Sequence, residues 1–508
     1  MPIRITGLNS GLDTEAIISA LVSSYNYKTQ KYKKAQTKLS WKQDAWKELN
    51  TKIYSLYTSV GNLRFSKAYN LKSASVSDST KVAVTASSGA VNGAYSIQVT
   101  SLAKAGYLTG GKLKKADPAD TTKVTSATTL GELGYKEENG GKISIGGKEI
   151  AVTKDTKISE VISGLQNAGV NASFDEKNGR IFVSAKKAGL DNEFELEGVD
   201  DNGTAALKAL GLLEDPSAEQ GMGATRIKGS DAVIYVNGAK YTNDANSFSI
   251  NGLTINALAV TSETYDESKA VNASVGTDTQ GIYDKIKDFL TQYNSIINEM
   301  ASLYNADSAK GYEPLTDEEK DAMSDTEVEK WEAKIKDSIL RRDDTLSGIM
   351  SSMTSAMSKG VNVRGETLYL SNFGIMTLGY MNAPKNEHYA YHIDGDEDDV
   401  NTAGNADKLM AAIAEDPDRV MEFMQGLTKN LYDAVDSRMK STSLSSVYTV
   451  YNDKEMASEY SDYTSLITKW QERLEQQEER YYKQFSAMET ALSKINSQTS
   501  SLSGFFGR

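Results

Sequence analysis

The feature that most constrains this chain is an apolar repeat of seven residues at each end. Steps of seven from Ile18 reach Tyr25, Tyr32, Leu39, Trp46, Ile53 and Val60, all apolar or aromatic. Three residues after each lie Leu21, Lys28, Ala35, Lys42, Leu49, Leu56 and Leu63, five of seven apolar. A 3.5-residue period held for seven heptads predicts a coiled-coil helix rather than an ordinary amphipathic one. No Pro or Gly interrupts 12–60, Asp13 or Thr14 can cap the start, and Gly61 lies near the stop. The C-terminal end repeats the device from Ile467 through Leu474, Tyr481, Met488, Ile495 and Leu502. Its companion positions, Trp470, Gln477, Gln484, Ala491 and Gln498, are mixed, while Phe485 and Leu492 widen the stripe. A helix cannot bury its own stripe. The two ends must therefore pair with each other, with further copies, or with a partner.

Charge and composition narrow the function. Residues 25–52 hold eight lysines against Asp44 and Glu48, which reads as a solvated helix face. The whole chain of 508 residues carries 69 acidic against 56 basic side chains. That balance argues against nucleic-acid binding, which needs basic patches to neutralise phosphates. No cysteine is present, so disulfides, thiolate metal sites and cysteine nucleophiles are excluded. Two histidines leave little for imidazole chemistry. No window approaches the roughly 18 apolar residues of a membrane span, and the first residues read without a signal peptide. A soluble protein that is no enzyme and needs no cofactor is the expectation.

Between the ends the period changes. Val82 and Val84, then Tyr95, Ile97 and Val99, alternate around Ser88-Gly89 and Asn92-Gly93, predicting a hairpin that joins the helical end to the body. Residues 142–152 predict a second hairpin around Gly146-Gly147, and 172–183 a third around Asn178-Gly179. A short helix between them, from Thr156 to about Asn167, puts Ile158, Val161, Ile162 and Leu165 on one face, with Gly169 as its stop. Asn237-Gly238 and Asn251-Gly252 organise two more strand pairs. From 280 the helical period returns with Ile282, Phe289, Ile296 and Leu303. Thr316 with Glu319 fits a capping box, and Asp416-Pro417 opens a helix bearing Val420, Phe423, Leu427 and Leu431. Met350, Met353 and Met357 are read as core.

The expected fold class is α+β and multidomain. It has long coiled-coil-like helices at both termini, a central helical bundle region with a β-hairpin, and one or two small β-rich, β-grasp-like head domains. The expected division is 1–70 as the N-terminal segment and coiled-coil helix, and 71–111 with 276–435 as a helical/β body. The head domains are 112–225 and 226–275, and 436–508 is the C-terminal coiled-coil helix.

Chemical sites are weak. Asp394, Asp396 and Asp398 match three ligand positions of a calcium loop, but Asp399 and Asn405 stand where that loop needs Gly and Glu. His388 and His392 lie nearby in a segment that reads as extended, so a solvated acidic turn is expected and no metal. No nucleophile-elbow or phosphate-cradling motif is found.

Local motifs then carry a resemblance. Gly7, Leu8, Asn9, Ser10, Gly11, Leu12 and Asp13 resemble the N-terminal signature of the flagellar hook-associated protein 2 family, except at Asn9, where Gly is usual. The run from Gly93 to Val99 followed by Leu102-Ala103 is similar to the family's first strand pair. Thr129 to Gly134 resembles the start of a flagellin hook insert. The run from Tyr481 to Glu489, continuing to Gln498, resembles the C-terminal signature.

This resemblance implies a filament cap: a ring of usually five or six copies at the distal filament tip, beneath which exported flagellin folds and inserts. It also implies export through the flagellar type III apparatus, with 1–70 including an export segment and a chaperone bound at the C-terminal end. Implied partners are further copies of the chain, flagellin and the hook–filament junction proteins, with no nucleic acid and no membrane insertion. The heptad positions are the expected assembly seams, and Gly7, Leu8, Ser10, Gly11, Leu12 and Asp13 the family motif. A missing thiol suits a chain exported unfolded and placed outside the cell. Two other readings stay open: a surface adhesin or binding module, suggested by the Gly-turn β middle and 27 tyrosines, and a hook–filament junction protein.

Overall fold

The computed structural model describes residues 10–214 and 222–506. It divides into two compact units: Asn70–Asp278, and the segment up to Tyr69 together with Thr279 onward.

Helix α1 (Thr14–Leu63) opens the helical unit with 50 residues, about 75 Å of helix. The Asp13 side chain caps it by accepting from the Ala16 amide at 3.0 Å. The chain then builds the β-rich unit. Its elements are β1 (Lys72–Val76), β2 (Val82–Ala86), β3 (Gly93–Ser101), β4 (Tyr107–Thr109), β5 (Gly141–Ile145), β6 (Lys148–Val152) and α2 (Ile158–Ala168). There follow β7 (Asn171–Asp175), β8 (Arg180–Ser184), β9 (Leu196–Gly198), α3 (Asp201–Ala209), β10 (Thr225–Ile227), β11 (Ala232–Val236), β12 (Ala239–Asn243), β13 (Ser247–Ile250), β14 (Leu253–Ala257) and β15 (Val271–Thr277).

Two cores hold this unit. In one, the antiparallel sheet β1–β15–β3–β11–β12 covers the sheet β13–β14–β2. Val82, Ile97, Val99, Ile234, Ile255 and Ala273 are buried between them. The expected hairpin of 82–84 with 95–99 does not form. Strand β2 pairs with β14, while β3 pairs with β15 and β11. Alternation reveals that each strand has one buried face, but not which neighbour it bonds. Here both faces look into one core from opposite sheets.

This pairing also redraws the expected domain grouping. Residues 72–101 bond to 232–277 rather than joining a helical body, and 226–275 is completed by them rather than standing alone. The second core lies under sheets β10–β4–β8–β7 and β6–β5–β9, with Ile158, Val161 and Leu165 of α2 and Leu207 of α3 buried in it. The other predicted hairpins form around their turn residues. Asn251 and Gly252, at φ 49° and 80°, take the mirror-image turn that matches strand twist.

The helical unit resumes with α4 (Thr279–Tyr304), α5 (Asp317–Asp321), α6 (Asp325–Asp337) and α7 (Asp344–Ser358). The hairpin β16 (Val361–Val363) with β17 (Glu366–Leu368), α8 (Lys408–Glu415), α9 (Pro417–Met439) and α10 (Asp453–Phe506) complete it. The capping box at α5 is made: Thr316 N donates to Glu319 Oε2 at 2.7 Å, and Glu319 N to Thr316 Oγ1 at 3.2 Å. Asp416 caps α9, with Pro417 in its first turn, where a missing N–H costs nothing. Ile286, Phe289 and Tyr293 of α4, Met353 and Met357 of α7, and Phe423 and Leu427 of α9 are all buried. Among the described residues, no helix is long and apolar enough to cross a membrane.

Candidate functional site

Helices α1 and α10 run antiparallel against each other. Tyr25 meets Trp470 at 6.2 Å between ring centroids, Tyr32 meets Tyr463 at 6.3 Å, and Trp46 stacks on Tyr451 at 5.4 Å. Gln36 Nε2 crosses between the helices to Thr464 Oγ1 at 2.7 Å. Farther along, the Ser10 hydroxyl donates to the Glu489 carboxylate, joining the N-terminal motif to the C-terminal one. Gly7 and Leu8 of that motif lie outside the described residues. Gly11 and Leu12 are exposed, and Asp13 is the helix cap.

The heptad positions meet different fates. Ile18, Leu39, Trp46, Leu49, Ile53, Val60 and Ile467 are buried. Tyr25, Tyr32, Trp470, Leu474, Tyr481, Phe485 and Met488 are half-buried. Leu21, Ile495 and Leu502 are exposed, at 45%, 55% and 58%. One stripe on α1 thus serves two surroundings. Its first part lies on α10, and its last part enters the bundle against α4 and α9.

Polar contacts that the periodicity does not reveal hold that bundle end. Tyr57 stacks on Tyr432 at 4.6 Å, their hydroxyls are 2.7 Å apart, and Tyr57 also donates to Asp436 Oδ1 at 2.9 Å. Burial first, then these two bonds, push the Tyr57 phenol well above its usual pKa. Arg64 lies 4.0 Å over the Tyr432 ring. Lys52 reaches Glu299 at 2.7 Å and Glu48 at 3.0 Å, and these bonds raise its ammonium. Asn50 Nδ2 donates to the Tyr448 carbonyl, and Asn50 Oδ1 accepts from Val450 N, pinning the turn before α10. Apart from Glu48, one helical turn from Lys52, these partners are separated by hundreds of residues, so no local pattern announces them.

Several lysines of the expected solvated face also have partners. Lys28 sits 4.2 Å over the Trp470 ring, Lys34 pairs with Glu319 at 2.9 Å, and Lys42 with Asp343 at 2.8 Å. The acidic run after residue 393 is likewise not a free, solvated turn. Lys287 of α4 bridges Asp396 and Asp398, each at 2.6 Å, and these bonds raise its ammonium well above the usual range. Asp394 is 6% exposed and accepts from Asn405 Nδ2 at 2.7 Å. His392 Nδ1 contacts Asp399 Oδ2 at 2.5 Å, while His388 stacks on Tyr380 at 4.6 Å, so the two imidazoles have separate partners. Among the described residues, no group of three or more acidic or histidine side chains is placed to hold a metal. What the arrangement offers is a long two-helix surface.

Comparison with known proteins finds matches along most of the chain. The family model described as flagellar hook-associated protein 2 C-terminus matches residues 229–497, and the N-terminus model matches 10–106. A flagellar hook-associated protein 2 from Halalkalibacterium halodurans is 24% identical across 99% of both chains. Its counterpart from Escherichia coli K12 is 25% identical, covering 98% of this chain and 97% of its own. Among solved structures, a three-domain fragment of the flagellar cap protein FliD from Escherichia coli covers 77% of this chain and 95% of its own, at 22% identity and a TM-score of 0.47. The C-terminal model alone spans more than half of the sequence, and this chain belongs to the flagellar hook-associated protein 2 family.

Proposed function

We propose that this chain caps the flagellar filament, forming a homo-oligomeric ring at the distal tip and promoting the folding and insertion of exported flagellin. The family is that of a structural flagellar cap protein and not a known enzyme family. The observation that carries the reading is the match along nearly the whole chain to flagellar hook-associated protein 2.

The geometry supports work done by assembly. The two chain ends form a slender antiparallel pair, and exposed Ile495 and Leu502 continue its apolar repeat at heptad spacing. A helix of this kind gains stability by burying its stripe on a neighbour. On this reading the heptad positions of α1 and α10 are the assembly seams. The partners are further copies, flagellin, the hook–filament junction proteins, and an export chaperone at the C-terminal end. The chain reaches the tip by export through the flagellar apparatus.

Deletion of the gene tests the proposal. The expected strain is non-motile, lacks filaments, and releases flagellin monomers into the medium. Filaments of normal length with no released monomer would overturn it.

A further inference from the structure

The lysines of α1 have a use that the pairing with α10 does not absorb. Between Glu15 and Asp44, α1 carries six lysines and no acidic residue. Tyr27, Lys31, Lys34 and Lys38 are spaced by four, three and four, which puts them on one face of the helix. That face is not the heptad seam. Tyr27 is 72% exposed, and Lys31 and Lys38 are exposed, whereas Leu39 of the seam is buried. The stripe lines a groove of about 1000 Å³ whose far wall includes Tyr312 and Glu319. Glu319 already takes Lys34, and among the other charged side chains of the lining Lys28, Lys31 and Lys38 outnumber Glu313, so the open part stays net basic.

Helix α10 carries the complementary pattern. Glu455, Glu459 and Asp462, spaced by four and three, share one face, all three are exposed, and no basic residue falls among them. The two stripes are level with each other. Gln36 Nε2 donates to the Tyr460 carbonyl at 3.3 Å as well as to Thr464, so Lys34 and Lys38, which flank Gln36, stand at the height of Asp462 and Glu459. No ion pair joins these two stripes within the chain among the described residues.

We propose that the lysine stripe of one copy receives the Glu455–Glu459–Asp462 face of α10 from a second copy. The inference rests on the ring reading and names the surfaces that close it. Copies related by rotation about an axis along the helices keep the same height. An α1 face then meets the α10 face of the next copy, a head-to-tail contact that repeats and closes. Charges of opposite sign at matching height attract, and salt weakens them with a screening length of about 10 Å at 0.1 M.

Native mass spectrometry and light scattering of the full chain, at low salt and at 0.5 M salt, test this. The wild type is expected to be oligomeric at low salt and to lose oligomer at high salt. Lys31→Glu/Lys38→Glu and Glu459→Lys/Asp462→Lys should each collapse to the 55.3 kDa monomer with unchanged helical content. The fourfold variant combining both pairs should recover the oligomer. A wild type that stays monomeric at low salt, paired variants that keep full oligomer mass, or a folded fourfold variant that stays monomeric would each overturn the inference. The cap reading is judged separately, by the released flagellin of the deletion strain.

Discussion

Trp46 shows how one side chain ties the two chain ends together. It is 1% exposed and lies flat on Tyr451, at an interplanar angle of 11°. Trp46→Ala removes the indole and leaves a cavity between α1 and the turn that precedes α10. A loss of about 3–5 kcal/mol is expected, read as a lower denaturant midpoint of the helical signal. The tyrosines of the helical unit make a second prediction. Burial raises the phenols of Tyr57, Tyr69 and Tyr293, and it pushes Tyr283 up to about 12. An unfolded tyrosine ionises near pH 10. Folding favours the neutral form, so this stability is fully present below about pH 10 and is lost as pH rises above it. Thermal midpoints should therefore fall between pH 10 and 11.5, and Tyr57→Phe should make the fall shallower. A midpoint flat over that range would contradict the assignment.

At the level of elements, turn chemistry was the most legible part of the β-rich unit. Gly146-Gly147, Asn178-Gly179, Asn237-Gly238 and Asn251-Gly252 each join the strands that alternation marks out. The glycine turns are not equivalent, however. A Cβ at Gly252 would lie 2.8 Å from the Ala90 amide nitrogen, whereas a Cβ at Gly147 would meet nothing within 4 Å. Both have positive φ, so Gly147→Ala should cost about 1–2 kcal/mol from backbone strain alone. Gly252→Ala adds a backbone clash of roughly 1–3 kcal/mol. Amide exchange in β13 and β14 should rise far more for Gly252→Ala than exchange in β5 and β6 does for Gly147→Ala. Equal effects would mean that the Ala90 segment yields freely. The sequence did not reveal that β2 and β3 belong to different sheets, because strand partners are chosen by the shape of the common core.

For the whole molecule, the heptad stripe that dominates the sequence has two mechanical roles. Ile53 is completely buried where α1 enters the bundle, while Leu474 is half-buried on the two-helix extension. Ile53→Asp places an unpaired charge among α1, α4 and α9 and should destabilise the helical unit by about 3–5 kcal/mol. Leu474→Asp should leave the body folded and loosen only the α1–α10 pair. Circular dichroism melts, with amide exchange over 460–490, separate the two outcomes. Identical melts for both variants would show that the stripe is one continuous seam. If the ring reading holds, Leu474→Asp also lowers oligomer mass while the β-rich unit stays protected.

Local sequence was enough for the long terminal helices, the capping box at Thr316, the helix start at Asp416-Pro417, the glycine turns and the family resemblance, while the choice of Asp13 over Thr14 as the first cap came from the folded chain. The former depend on periods and short motifs within one stretch of chain. Only the tertiary structure decided that Trp46 rests on Tyr451, that Tyr57 bonds to Tyr432, that Lys287 holds the acidic run, and that β1 and β3 join one sheet with β11, β12 and β15 while β2 joins another with β13 and β14. A stripe states that a face must be buried. What buries it depends on which distant surfaces complement it in volume and charge, and that is settled only when the chain closes on itself.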